Sequence, residues 1–228
     1  MRRAIFLVGG QSSRFKGIVR NKCLLRLQGQ TILERLILQT ANMGVDDFVF
    51  VVGYAWSEVV TEAVRVLGRI PFRQQVFLLS DWRRQNGHAL WLCRDYLNEE
   101  CILCEGDVVV DHLAIPWAGH STWFLVSGYD GQGSYAFPDN GYVKKQCISD
   151  TSPGEGWYKS AGIYYLAQGI SELPDLQGII DDVFSQMSMR TIALPVERWH
   201  EVDDVTDFEQ AKAKIKEPVR YIVEPTVI

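Results

Sequence analysis

The chain has 228 residues, a net charge of −5 and 47% hydrophobic residues, enough apolar material for a sizeable core. Its charges of both signs are scattered, which excludes the basic stripe of a nucleic-acid binder and the polybasic segment of a lipid-surface binder, and no segment approaches the roughly 18 uninterrupted apolar residues of a membrane span. Five cysteines, an odd number spread over expected core elements, read as reduced thiols, and a cytoplasmic location is expected.

Ala4–Val8 reads as a buried parallel strand, and the two arginines before it do not make it an export signal, because the apolar run is only one strand long. Gly9 and Gly10 follow, then Ser12, Ser13, Arg14 and Lys22. Thr31–Met43 has helical periodicity, with Thr31 as N-cap and Glu34 completing a capping box. Phe48–Val52 is a second strand, Ser57–Leu67 a helix capped by Ser57, and Val76–Leu79 a third strand. Gly87–Leu97 reads as a helix and Cys101–Cys104 as a strand entering Glu105–Asp107. In that strand Cys101 and Cys104 point to opposite faces, so their spacing does not predict zinc.

Beyond this point strands dominate: Trp123–Ser127, Tyr142–Ile148 after an Asn-Gly hairpin signal, and Gly162–Leu166. Leu176–Met189 reads as a helix, Thr191–Val196 as a strand, and Val205–Lys216 as a closing helix with Phe208, Ala211 and Ile215 on one face. The expected fold is a Rossmann-like α/β domain over residues 1–217, with a mixed, mainly parallel sheet, helices on both faces and a small antiparallel acceptor-binding subregion. Residues 218–228 form a C-terminal arm, read as a loose extension, an edge strand or a homodimer contact.

The glycine turn, with its freed backbone N–H groups and nearby cations, suits a polyphosphate. In open α/β sheets ligands lie outside the carboxyl ends of the strands, so Gly9 and Asp107 should share one crevice, which Asp203, just before the last helix, would close. Two neighbouring carboxylates repel unless a cation separates them, and Mg²⁺ held by carboxylates and substrate phosphates is the usual solution. The competing reading makes Asp203 a helix N-cap and Asp107 a turn residue.

With these residues in place, the chain resembles the sugar-nucleotidyltransferase-type pyrophosphorylases, nearest to the phosphocholine and phosphonate cytidylyltransferases. Gly9, Gly10, Arg14, Lys22, Leu24 and Leu25 match the opening signature, with Asn21 where a proline is familiar. RRQNGHALWLCRDYL resembles the base-side segment, EGDVVVD the metal-binding motif, KSAGIYYL the acceptor strand and WHEVDDVTDFEQA the second metal-ligand motif. The resemblance implies transfer of CMP from CTP to a phosphate or phosphonate monoester, with loss of pyrophosphate. Lys22, Arg14 and Asp107 are then catalytic, and Asp107 and Asp203 hold Mg²⁺. Val8, Gly9, Gly10, Gln11, Ser12, Ser13, Arg14, Gln85, Asn86, Ala89 and Glu105 bind the nucleotide, while Lys159, Lys144 and Trp157 face the acceptor in a pocket expected to be positively charged. Among Trp117, Trp123, Tyr129, Trp157, Tyr158 and Trp199, a cation–π cage for a choline-like group competes with simple core packing. Alternatives are uridylyl or thymidylyl transfer to a sugar phosphate, guanylyl transfer as in the molybdenum-cofactor guanylyltransferases that the opening also resembles, and a non-catalytic nucleotide-binding relative. A dinucleotide-binding Rossmann turn is excluded, because Gly9–Arg14 reads G-G-Q-S-S-R rather than G-x-G-x-x-G.

Overall fold

A computed structural model of the chain describes residues 2–15, 17–84, 86–114, 119–129, 131–167, 170, 180–184 and 187–222. The strands are β1 (Arg3–Val8), β2 (Arg26–Leu27), β3 (Gln30–Thr31), β4 (Asp47–Val52), β5 (Gln74–Leu79), β6 (Cys101–Glu105), β7 (Val108–Val110), β8 (Thr122–Ser127), β9 (Gly133–Asp139), β10 (Tyr142–Ser149), β11 (Tyr158–Leu166), β12 (Arg190–Pro195) and β13 (Trp199–Glu201). The helices are α1 (Ile32–Asn42), α2 (Trp56–Leu67), α3 (Asn86–Leu92), α4 (Ile180–Phe184) and α5 (Val205–Lys214).

Strands β5, β4, β1 and β6 run parallel, as the β-α alternation requires. The sheet continues through β11, antiparallel to β6, then β8, β12, β10 and β9, with β9 also pairing back to β11. Along β1, Ala4, Phe6 and Val8 face a core closed by α1, α2 and α5, while Ile5 and Leu7 face a second core closed by α3 and α4. This strand alternation puts helices on both faces, as expected. It also separates Cys104 in the first core from Cys101 in the second. Asn140 and Gly141, at φ 52° and 80°, close the expected β9–β10 hairpin in a type I′ turn.

Several boundaries moved for identifiable reasons. Thr31 does cap α1, its Oγ1 accepting from the Glu34 amide at 2.9 Å, but the Glu34 carboxylate does not complete the box. It turns to Arg65 and Arg69 instead. Helix α2 starts at Trp56 from Ala55 in the left-handed region, φ 55°, so Ser57 lies inside the first turn and does not cap it. The helix expected over Gly87–Leu97 ends at Leu92 and tightens into a 3-10 turn at Arg94–Tyr96. There the Tyr96 carbonyl accepts from Arg3, itself paired with Asp47 at 2.7 Å. Of the helix expected over Leu176–Met189, Ile180–Phe184 is helical and Met187–Met189 is not; the remainder lies outside the described residues.

The α1–α2 interface carries a compact ionic network. Arg65 Nε lies 2.7 Å from Glu62 and its Nη2 2.5 Å from Glu34, and Thr31 Oγ1 donates to Glu62 at 2.7 Å. Hydrogen bonding from Arg65 lowers the Glu62 carboxyl; burial would raise Glu34, but bonds from Arg69 and Arg65 outweigh it. Carboxyls that titrate lower in the folded chain than in the unfolded one stabilise it fully above the unfolded range near ~4.3, and that contribution is lost as pH falls through the folded values. Glu62→Gln is therefore expected to cost about 1–2 kcal/mol at neutral pH and markedly less near pH 3, as read by urea unfolding at both pH values.

Candidate active site

The site assembles where β1 and β6 end. Gly9 sits against Gly53, at the end of β4, so closely that a Cβ on Gly53 would lie 2.6 Å from the Gly9 carbonyl oxygen. That approach, with the Tyr54 amide donating to the Gly9 carbonyl at 2.9 Å, forces the chain to turn out of the sheet. Asn21, where the resembling families carry proline, then anchors the turn that bears Lys22. Its Nδ2 donates to the Val8 carbonyl at 2.8 Å and its Oδ1 accepts from the Cys23 amide at 3.1 Å. Ser12 Oγ accepts from the Lys22 amide at 2.6 Å, so this hydroxyl is occupied in shaping the loop. Asn21 is 2% exposed, and Asn21→Ala strands two buried backbone partners. A loss of about 2–3 kcal/mol in urea unfolding, with reduced turnover as the Lys22 turn loosens, is the expected result.

Asp107 and Asp203 are 96 residues apart in sequence but are brought together by the short β7–β13 ladder. Glu201 pairs with Val108, and the Val202 amide donates to the Asp107 carbonyl at 2.9 Å. The competing role of Asp203 falls to its neighbour. Asp204 caps α5 in a capping box with Asp207, which leaves the Asp203 carboxylate facing the cleft. Lys22 Nζ lies between the two carboxylates, 2.5 Å from Asp107 Oδ2 and 2.7 Å from Asp203 Oδ1, and Arg14 reaches Asp203 Oδ2 at 2.6 Å. Burial alone would lower the Lys22 ammonium, but the two carboxylates outweigh it and hold it firmly charged. Asp203 is lowered in turn: burial would raise it, and Lys22 and Arg14 reverse that.

Asp107 Oδ1 is buried without a hydrogen-bond partner. An unclaimed carboxylate oxygen beside a second carboxylate suits a hard, oxygen-ligated dication, so the residues present fit Mg²⁺. Among the described residues no group of three or more His, Cys, Asp or Glu side chains forms a ready cage, and Mg²⁺ commonly takes one or two carboxylates and completes its shell with substrate phosphates and water.

Two lobes meet here. A cavity of about 340 Å³ is lined by Val8, Gly9, Gly10, Ser12, Ser13 and Arg14, by Lys22, Asn86, Ala89, Glu105 and the two aspartates, and also by Ser80, Trp82 and Arg84. Gln11 is not among its lining residues, and Gln85 lies outside the described residues. Asn86 is partly structural, since its Oδ1 accepts from the Ile180 amide at 3.0 Å and ties α3 to α4. A second cavity of about 240 Å³ shares Arg14, Asn86, Glu105 and Asp203 and extends to Lys159, Ser134, Ser160, Asp181 and Glu201.

The second lobe is acidic, against the expectation of a positively charged pocket. Glu105, Asp181, Glu201 and Asp203 face only Arg14 and Lys159 among its described lining residues. Lys159, 4% exposed, pairs with Glu201 at 3.0 Å and runs close past Gly133, where a Cβ would sit 2.2 Å from Nζ as the side chain now lies. Burial pushes Glu105 well up, pushes Asp181 up, and pushes Glu201 to about 7; neighbouring carboxylates add to the shifts of Glu105 and Glu201. Asp181 is held by Tyr164 and Ser160. The hairpin residue Lys144 is exposed, and Trp157 packs edge-on against Phe137 at 5.6 Å; neither lines the lobe. Trp123 and Trp199 are fully buried core, Tyr129 packs against Trp199, and Trp117 lies outside the described residues. No described aromatic ring lines this lobe.

Sequence reasoning missed Asp181 and Glu201 because nothing local marks them. Asp181 sits in a five-residue helix, and Glu201 ends a three-residue strand too short to show a period. Trp82 and Arg84 carried a weak signal: Trp82 immediately precedes the base-side segment and Arg84 is its second residue.

Residues 4–78, which carry the glycine turn, Arg14 and Lys22, match the MobA-like NTP transferase domain, in line with the nucleotidyltransferase resemblance of the motifs. Among solved structures it is similar over nearly its whole length to the CTP:phosphocholine cytidylyltransferase LicC of Streptococcus pneumoniae, at 16% identity and a TM-score of 0.78, covering 94% of this chain and 99% of that one. It is likewise similar to the inositol-1-phosphate CTP transferase of T. maritima, at 19% identity and a TM-score of 0.69, with 96% and 98% covered. Among characterised proteins it is 26% identical over 161 residues to the bifunctional IPC transferase and DIPP synthase of Aquifex aeolicus, covering 70% of this chain and 35% of that protein. It is 23% identical over 181 residues to the bifunctional protein GlmU of Methanococcus vannielii, covering 75% and 42%. The chain thus spans well under half the length of these two relatives. No helix among the described residues is long and apolar enough to cross a membrane.

Proposed function

We propose that the chain is a Mg²⁺-dependent cytidylyltransferase that joins CTP to a small phosphate or phosphonate monoester carrying an ammonium group. The observation that carries this reading is the junction of the two lobes at Arg14, Glu105 and Asp203, beside the Lys22 bridge. In the reaction an acceptor phosphoryl oxygen bonds to the α-phosphorus of CTP as the bond to pyrophosphate breaks, and the electron pair leaves with pyrophosphate. Two anions must be brought together, so the protein's task is alignment and charge balance. The loop amides from Gly9 to Ser13 cradle the triphosphate, Arg14 meets the departing phosphates, and Lys22 balances charge between donor and acceptor. Asp107 and Asp203 would hold Mg²⁺, which when bound screens the phosphate charge.

The acidic second lobe selects the acceptor. A phosphate on an uncharged sugar gives these carboxyls, pushed up by burial, nothing to ionise against, whereas an ammonium supplies the counter-charge. Asp181, Glu105 and the serines accept hydrogen bonds, which a primary ammonium can donate and a quaternary one cannot; the latter favours aromatic faces. An aminoalkyl phosphonate or phosphoethanolamine therefore fits better than phosphocholine. Pyrophosphate release with CTP, UTP and GTP against these acceptors, phosphocholine and glucose 1-phosphate is expected to be fastest with CTP and a primary ammonium acceptor. Faster release with UTP and glucose 1-phosphate would refute both halves of the reading.

A further inference from the structure

A third cavity, of about 900 Å³, lies between α1, the segment after β7, the end of α5 and residues 216–222. The arm forms its wall because side chains of the β2–β3 turn and α1 pin its backbone. Gln30 bonds both backbone groups of Val219 at 2.7 and 2.8 Å, and Asn42 bonds the Arg220 carbonyl and Ile222 amide at 2.8 and 2.9 Å. The arm is thus no loose extension over these residues.

Arg35 lines this cavity at 3% exposure, yet among the described residues it makes no ion pair, and Asp111 acts on it only from beyond contact distance. Its Nη1 donates to the Glu217 carbonyl at 2.9 Å, and its Nε has no acceptor among the described residues. The equally buried Arg3 shows what this chain otherwise does with such a group: it pairs Arg3 with Asp47 at 2.7 Å. A guanidinium taken out of water without a carboxylate is costly, and an incoming anion would relieve it. Gln39, also buried, lines the same cavity, and its Oε1, without a partner among the described residues, is an acceptor for a ligand hydroxyl or amine. Exposed Lys214, Lys216 and Arg220 join the lining, against Asp111 and Glu217, giving a positive excess among the described lining residues in a chain of net charge −5.

We propose that this cavity is a second ligand site, separate from the reaction cleft, that takes a small phosphate-bearing anion with a hydrogen-bond donor, anchored by Arg35 and gathered by Lys214, Lys216 and Arg220. Arg35 is the residue type suited to planar, bidentate capture of phosphate, and the volume accommodates an organic phosphate rather than the inorganic ion alone. The site stands independently of the function proposed above. β7 separates it by only a few residues from Asp107, since Gln39 Nε2 donates to the Val110 and Asp111 carbonyls, the first at 2.8 Å.

Isothermal titration of the full chain with glycerol 3-phosphate and with inorganic phosphate, in the absence of nucleotide and metal, tests this. Saturable binding tighter for glycerol 3-phosphate is expected, retained in Lys22→Ala, which alters the reaction cleft, and weakened about tenfold or more in the double variant Lys216→Gln, Arg220→Gln. Both residues are exposed, so that variant should fold even where Arg35→Gln does not. Absence of saturable binding in the wild type, or binding abolished by Lys22→Ala and untouched by the double variant, overturns the proposal.

Discussion

Asp107→Asn is expected to lower turnover by at least about 10²-fold, roughly 2.7 kcal/mol of transition-state stabilisation, with little change in thermal stability. The reason lies in how its two oxygens are used. Oδ2 meets Lys22 at 2.5 Å, while Oδ1 is buried without a partner. An orphan oxygen adds nothing to folding, so its chemistry belongs to a bound species. An amide in its place keeps the volume but removes the charge that both Lys22 and a dication require. Asp203→Asn should act in the same direction. It is more exposed and shares Lys22 with Asp107, so the two effects should add less than fully in the double variant. Turnover of Asp107→Asn near that of the wild type would refute the assignment, and steady-state rates with a melting curve for each variant decide it.

The lobe around the glycine turn was readable from the sequence because its signals are local. A strand, a glycine turn and two cations within 19 residues are consecutive text, from Ala4 to Lys22, and the Asn-Gly hairpin and Thr31 cap are likewise short-range chemistry. The second lobe was not. It is built from the ends of β6 and β13, the middle of β11 and the first turn of α4, joined only by long-range pairing. Glu201 reads as one more acid in an acidic run until the ladder with Val108 places it beside Lys159. The same topology explains the misread charge. Lys144 and Lys159 look alike in sequence, but a register shift between Val143 and Lys145 marks an irregular hairpin whose Lys144 stays in solvent, while Lys159 is drawn under β9 to meet a carboxylate. Capping was legible as tendency rather than as detail: Glu34 had two competing partners, and two arginines on the neighbouring helix and the turn after it outweighed one backbone amide.

Lys22→Ala separates two roles that coincide in the wild type. Its ammonium holds two carboxylates together and, in the reaction proposed above, stands where donor and acceptor charges must meet. Without it turnover should fall by about 10²-fold or more, and Asp107 and Asp203 would face each other with only Arg14 on one side. Like charges so placed destabilise the loops that carry them unless another cation takes the position. The variant should therefore melt below the wild type in chelator and gain more on adding Mg²⁺ than the wild type does, because the ion relieves a repulsion that Lys22 otherwise cancels. Melting curves across a Mg²⁺ titration read this without any turnover. An equal Mg²⁺ response in the two proteins would mean that the ion binds away from these carboxylates, and unaltered product formation by the variant would remove Lys22 from the reaction altogether.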